Sequence, residues 1–201
     1  HLWLPNAYAY APSIVTAFFA ATATKVAVYL LIRFTFSVFG FSFSFTHIPL
    51  QTIFMALGLI GIFVASASAI YQSNVKQLFA YSSIAQIGYM IVGFSLSTVT
   101  GLTATLLHMF NHALMKGAMP MTMAAIVIGG LSLIGVPLTV GFVSKWYLLM
   151  ALIEQGWWPV AALILLGSML AVIYVWRVVE VVYFNEPLDN NSAIKEAPMS
   201  F

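Results

Sequence analysis

The sequence has no cysteine and very little charge. Without thiols the chain can supply no disulfide, no thiolate-held zinc and no iron–sulfur ligand. Charged residues make up 6% of its 201 positions, where a soluble domain carries about a quarter. Seven basic and five acidic side chains cannot coat a water-soluble globule of this size. A net charge of +2, scattered along the chain, offers no basic face for nucleic acid. A G-x-x-x-x-G-K-[ST] phosphate loop, a dinucleotide fingerprint and a nucleophile elbow are also missing. ATP-driven pumping by this chain therefore has no support, and neither a cofactor nor a metal is expected on it. The sequence opens on His1, with nothing like a signal peptide ahead of its first apolar run. It is expected to be a piece of a longer protein.

What fills the space is apolar. Hydrophobic residues are 62% of the chain and the mean hydropathy is +1.01, the composition of an integral membrane protein. A helix of about 20 apolar residues crosses roughly 30 Å of hydrocarbon. On that rule six spans are expected, over residues 12–39, 50–71, 75–96, 100–118, 122–153 and 157–184. The apolar runs are continuous rather than alternating, which argues against a β-barrel. The predicted fold is thus all-α, a polytopic transmembrane helix bundle over residues 1–184, followed by a polar tail at 185–201 with four of the twelve charges. The fifth span is too long for a straight crossing and contains Gly135-Val136-Pro137, so it predicts a discontinuous helix near Pro137. Met119-Pro120-Met121 marks a short break before it. Lys76, Arg177 and Lys195 fall on one side of the six crossings and Arg33 on the other, which makes the Lys76 side cytoplasmic. Gly58, Gly61, Ala65 and Ala69 permit close helix packing.

The informative residues are the ionisable ones inside the spans, because each costs about 2.5–3.5 kcal/mol at mid-helix on insertion scales. They are Lys25, His108, His112, Lys116 and Lys145. Such groups point to an ion or proton pathway. Lys25 lies 13 residues past Pro12, too deep to snorkel easily to the nearer interface; its alternative is a structural lysine bonded to backbone carbonyls. His108, His112 and Lys116 stand at i, i+4 and i+8 on one helix face. An imidazole titrates near pH 6.5 when unperturbed and can pass a proton along hydrogen bonds. A metal site and satisfied core histidines are the alternatives, and no in-span carboxylate accompanies the pair. Lys145 lies eight residues past Pro137, in the second half of the broken helix, where freed backbone groups need protein or internal water. Its alternative is an interfacial anchor beside Trp146 and Tyr147. Arg33, Lys76, Arg177 and Glu180 sit near helix ends as solvated groups, while Gln86, Ser82 and Ser83 either line a wet path or pack helices.

Several separate runs carry a resemblance. His1 to Tyr8 (HLWLPNAY), Ala23 to Tyr29 (ATKVAVY), Lys76 to Tyr89 (KQLFAYSSIAQIGY), His108 to Ala118 (HMFNHALMKGA) and Leu131 to Tyr147 (LSLIGVPLTVGFVSKWY) occur in this order. Together they resemble the proton-conducting antiporter-like membrane subunits, found in Mrp-type sodium/proton antiporters and as the large proton-pumping subunits of respiratory complex I. The wording is nearest to the D subunit of the Mrp-type antiporter. The resemblance implies about fourteen helices in two inverted five-helix repeats, of which this chain is the second half. It implies that Lys25 bridges the two halves of a proton path, that His108, His112 and Lys116 form a relay, and that Lys145 is the lysine of the broken helix. It places the Lys76 side in the cytoplasm and the subunit in the bacterial inner membrane. The implied partners are other membrane subunits of an antiporter or complex I-like assembly, protons, sodium and lipid. The family's Glu–Lys pair is expected ahead of His1. A few dozen residues of relatives are expected to be missing at the Ala118–Met119 junction, which puts Lys116 near the cytoplasmic end of its span.

Overall fold

The computed structural model describes residues 3–41, 43–119 and 123–184. Among them there is helix and no strand. Lipid demands this, since a helix satisfies its backbone groups within one segment. The tail at 185–201 and the break at 120–122 lie outside the described residues.

Helix α1 (Leu4–Tyr10) opens with Pro5 in its first turn, where the absent N–H is not missed. Pro12 then holds Ala11 extended and starts α2 (Ser13–Ala21). The sequence predicts one continuous helix from here, but the chain breaks at Thr22 before α3 (Ala23–Arg33). Neither proline nor glycine makes this break. The Thr22 hydroxyl bonds back to Phe18 O at 2.7 Å, a contact that bends helices. A wide π turn at Phe34–Val38 extends α3, so that Ser13–Val38 makes one 26-residue apolar stretch. A second π turn (Phe43–His47) leads to α4 (Leu50–Ile70).

The next two helices start with side-chain caps. Asn74 accepts from Lys76 N at 2.9 Å to begin α5 (Val75–Ser95), and Thr98 accepts from Gly101 N to begin α6 (Val99–Ala118). The predicted discontinuity is present. α7 (Met123–Ile134) ends where Gly135 turns at φ +91°, and Val136 N and Gly135 N return to Leu131 O and Ser132 O. This is a Schellman closure that glycine makes cheap. Pro137 blocks continuation, and Thr139 caps α8 (Val140–Glu154). The two halves cross closely: a Cβ on Gly141 would lie 1.8 Å from Ser132 O. The last helix is α9 (Trp158–Tyr183).

Four stretches are long and apolar enough to cross a membrane alone: Ser13–Val38, Leu50–Ile70, Val75–Ser95 and Trp158–Val181. The other two expected spans are α6, whose polar stripe lowers its hydropathy, and the divided α7–α8 pair. The bundle is therefore four plain crossings and two that carry four of the five enclosed ionisable candidates.

α5 is the central pillar, buried along most of its length, while the other three plain spans turn about two thirds of their residues outward. Its Gly88 meets Gly58 of α4 so closely that a Cβ on either would stand within 3 Å of the other's carbonyl oxygen. Ala65 and Ala69 continue that buried seam, whereas Gly61 has more room. Arg177 bonds Ile70 O and Lys76 bonds Ala11 O, so both cations sit at the same end of the bundle. These bonds replace plain solvation with a cation at a helix C-terminus. Arg33 and Glu180 are exposed.

Candidate functional site

All five intramembrane candidates are buried: Lys25, His108, Lys116 and Lys145 are 2–7% exposed and His112 is fully enclosed. Each is placed by a different local device. The Thr22 break frees the carbonyl of Ala20, and the Lys25 amine bonds it. That bond suits the structural reading of Lys25 as well as the relay reading. The Gly135 break frees the last carbonyls of α7, and Lys145 Nζ donates to Leu133 O at 2.7 Å and Ile134 O at 3.0 Å. Its third hydrogen goes to Ser168 Oγ on α9 at 3.0 Å. A positive group at the negative end of a half-helix is electrostatically favourable. Tyr89 lies beneath the same amine, 4.6 Å from ring centroid to Nζ. Lys145 thus points inward while Trp146 and Tyr147 face outward, so the interfacial-anchor alternative does not describe it.

The i, i+4, i+8 stripe on α6 is real and faces the core. His108 Nδ1 is 2.9 Å from Ser144 Oγ of α8, and Nε2 is 2.9 Å from Gln86 Oε1 of α5. Both ring nitrogens are engaged, which leaves neither free for a metal. Among the described residues no three histidines or carboxylates gather as a metal site. Lys116 Nζ bonds Ser82 Oγ at 2.5 Å and Phe79 O at 3.1 Å, low on α5 near its Lys76 end. Lys116 is therefore near that end of its span, as expected, and yet enclosed.

His112 is different. Its ring stacks parallel to that of His108 at 6.4 Å, and neither nitrogen has a hydrogen-bond partner. Thr24 Oγ1, also buried, lacks a partner too. An enclosed polar atom without a partner costs about 1–3 kcal/mol, and water is its usual remedy. The fields of Lys25, Lys116 and His108 all reach His112, and those of Lys25 and Lys145 reach His108. The five groups thus form one electrostatically connected cluster across α3, α6 and α8. Among the described residues no direct hydrogen bond joins any two of them, so movement of a proton between them needs water.

A small crevice lies beside this cluster between α5, α7 and α9, and none of the five basic groups lines it. Phe79, Met119, Gly130 and Leu133 make its apolar wall, and its polar groups are Ser82, which holds Lys116, and Tyr174, which bonds Gln86. Ser144, Ser168, Tyr174 and Tyr89 were not singled out by sequence. Their partners on other helices lie between 23 and 88 positions away, and no spacing rule reveals such pairs. Gln86 was visible only as one of two equal readings, a wet path or helix packing, and its bond to His108 fits both.

The family described as "NADH:quinone oxidoreductase/Mrp antiporter, TM" matches this sequence over residues 1–119 and 115–173. The chain belongs to that family. The two matched stretches overlap at residues 115–119. NADH-quinone oxidoreductase subunit N of Desulforudis audaxviator (strain MP104C) is 37% identical over 212 residues, covering 91% of this chain and 41% of that protein. Subunit N 1 of Acidiphilium cryptum (strain JF-5) is 33% identical, covering 96% and 46%. The chain therefore spans less than half the length of these relatives. Among solved structures, a chain of the Mrp complex from Dietzia sp. DQ12-45-1b superposes with a TM-score of 0.82 at 23% identity, over 94% of this chain and 39% of that one. That likeness concerns the fold. A chain of the membrane-bound sulfane sulfur reductase, an archaeal respiratory membrane complex, gives 0.77 at 29% identity, over 92% and 42%.

Proposed function

We propose that this chain is part of a proton-translocating membrane subunit in a multi-subunit complex. The observation that carries the proposal is the enclosed cluster of three amines and two imidazoles on α3, α6 and α8. Burying so many basic groups is expensive, and its ordinary purpose in a membrane is charge movement. In this reading protons pass from Lys25 to His112 and His108, then to Lys116 and Lys145, through water between the groups. The unpartnered nitrogens of His112 support the water. The basic cluster has no acidic neighbour among the described residues, and the rest of the protein supplies the carboxylate.

The curated relatives bear the name of a subunit of NADH:quinone oxidoreductase, which favours redox energy from neighbouring subunits as the drive. Sodium/proton exchange by a D-type subunit of an Mrp complex is the second reading. The run of motifs and the shared fold favour it. Other membrane subunits are partners in both, and the bacterial inner membrane is the location. The test uses the full-length chain in its complex, reconstituted in proteoliposomes. Proton movement that follows NADH oxidation by quinone supports the first drive, and sodium-dependent movement without NADH supports the second. In either case Lys25→Ala or Lys145→Ala is expected to abolish proton movement with the complex still assembled. Wild-type flux in either variant removes that lysine from the path and leaves the structural reading.

A further inference from the structure

We infer that Ser144 and Gln86 are positioning residues that fix which nitrogen of His108 takes up a proton, and that Ser144 is the hydroxyl through which it does so. The inference deepens the proton-relay reading and rests on it. Gln86 Oε1 accepts from His108 Nε2–H at 2.9 Å, and the amide is held in turn by its Nε2 donating to Tyr174 OH at 3.4 Å. A neutral imidazole carries one ring hydrogen, so with Nε2 protonated the free base is Nδ1. Nδ1 faces Ser144 Oγ at 2.9 Å, and the same oxygen is 3.0 Å from Gly141 O.

One hydroxyl hydrogen cannot serve both acceptors, and this gives the site two settings. With His108 neutral, Ser144 O–H donates to Nδ1. A proton added at Ser144 Oγ drives the hydroxyl's own hydrogen onto Nδ1. The positive charge then rests on the imidazolium. Nδ1–H now donates to Ser144 Oγ, whose remaining hydrogen turns to Gly141 O. Reversal discharges the ring. Ser144 keeps one hydrogen throughout, and no heavy atom need travel. Because Ser144 stands on α8, its bond to His108 ties the α6 stripe to the second half of the broken helix. The titratable and charged groups around His108 are Lys25 of α3, Tyr89 of α5, His112 of its own helix, Lys145 of α8 and, through Gln86, Tyr174 of α9.

The experiment uses the full-length chain in its assembled complex, in proteoliposomes, with ¹⁵N-labelled histidine. Ser144→Ala is expected to slow proton movement about a hundredfold, the low end for loss of a positioned proton-transfer group, and to displace its pH profile. Ser144→Thr restores both. Gln86→Leu is expected to lose the Nε2–H preference of His108 in the nitrogen spectrum, and Gln86→Glu to keep it. Ser144→Cys, closer in volume, is expected to be slow also and serves where the alanine variant fails to assemble. Wild-type rate with a superimposable pH profile in Ser144→Ala, or an unchanged His108 tautomer in Gln86→Leu, overturns the inference. His108→Ala separates the two levels. If it conducts normally, the relay reading itself fails. If it is inactive while Ser144→Ala is normal, only the present inference fails.

Discussion

Each buried or half-buried cation that bonds in this protein bonds a backbone carbonyl of another helix or half-helix. Lys25 takes Ala20 O, Lys76 takes Ala11 O, Lys116 takes Phe79 O, and Lys145 takes Leu133 O and Ile134 O. A carbonyl can hold an amine in either form, charged or neutral, since both donate, although Lys145 gives up one of its three donations when neutral. His112 has no such answer, and this makes it the sharpest test of purpose at the residue scale. His112→Leu removes two unsatisfied atoms at similar volume. Its thermal midpoint is expected to equal or exceed that of the wild type, with up to about 2 kcal/mol gained, while proton flux falls to background. A stable variant with normal flux contradicts a relay role for this ring. The five basic residues were legible in the sequence because charge within an apolar run stands out, and the stripe on α6 because i, i+4, i+8 fixes a face. The groups that orient them were not. Ser144 pairs with a residue 36 positions away, and serine is unremarkable in a membrane helix.

At the element scale the two broken helices are made differently. The α7–α8 break could be read from Gly135 and Pro137, whose backbone preferences punctuate any helix. The α2–α3 break could not, because Thr22 makes it through a hydroxyl bond that the residue type merely permits. Both breaks have the same consequence, a freed carbonyl held by a lysine. The α7–α8 crossing depends on Gly141, which admits no side chain against Ser132 O. Gly141→Ala is expected to destabilise the assembled subunit by at least about 2 kcal/mol, read as a lowered thermal midpoint and reduced yield of complex. Because Lys145 and Ser144 ride on α8, flux is expected to fall with it. An alanine variant of unchanged midpoint shows that the two half-helices separate freely.

For the whole molecule, six spans and a helical bundle follow from composition and run length alone, since lipid leaves a continuous apolar chain little choice. The arrangement of the spans around α5 does not follow, because the close approach of Gly58 and Gly88 depends on which faces meet. The crevice between α5, α7 and α9 emerges only from that arrangement. What unites the molecule is a belt of basic groups at the core of an otherwise apolar protein, tied to backbone carbonyls at both helix breaks. The most direct measurement is proton flux through the full-length complex in proteoliposomes carrying Lys25→Ala and Lys145→Ala together, with assembly checked by native electrophoresis. The account expects an intact complex with flux at the level of empty vesicles. Undiminished flux from the assembled double variant contradicts it.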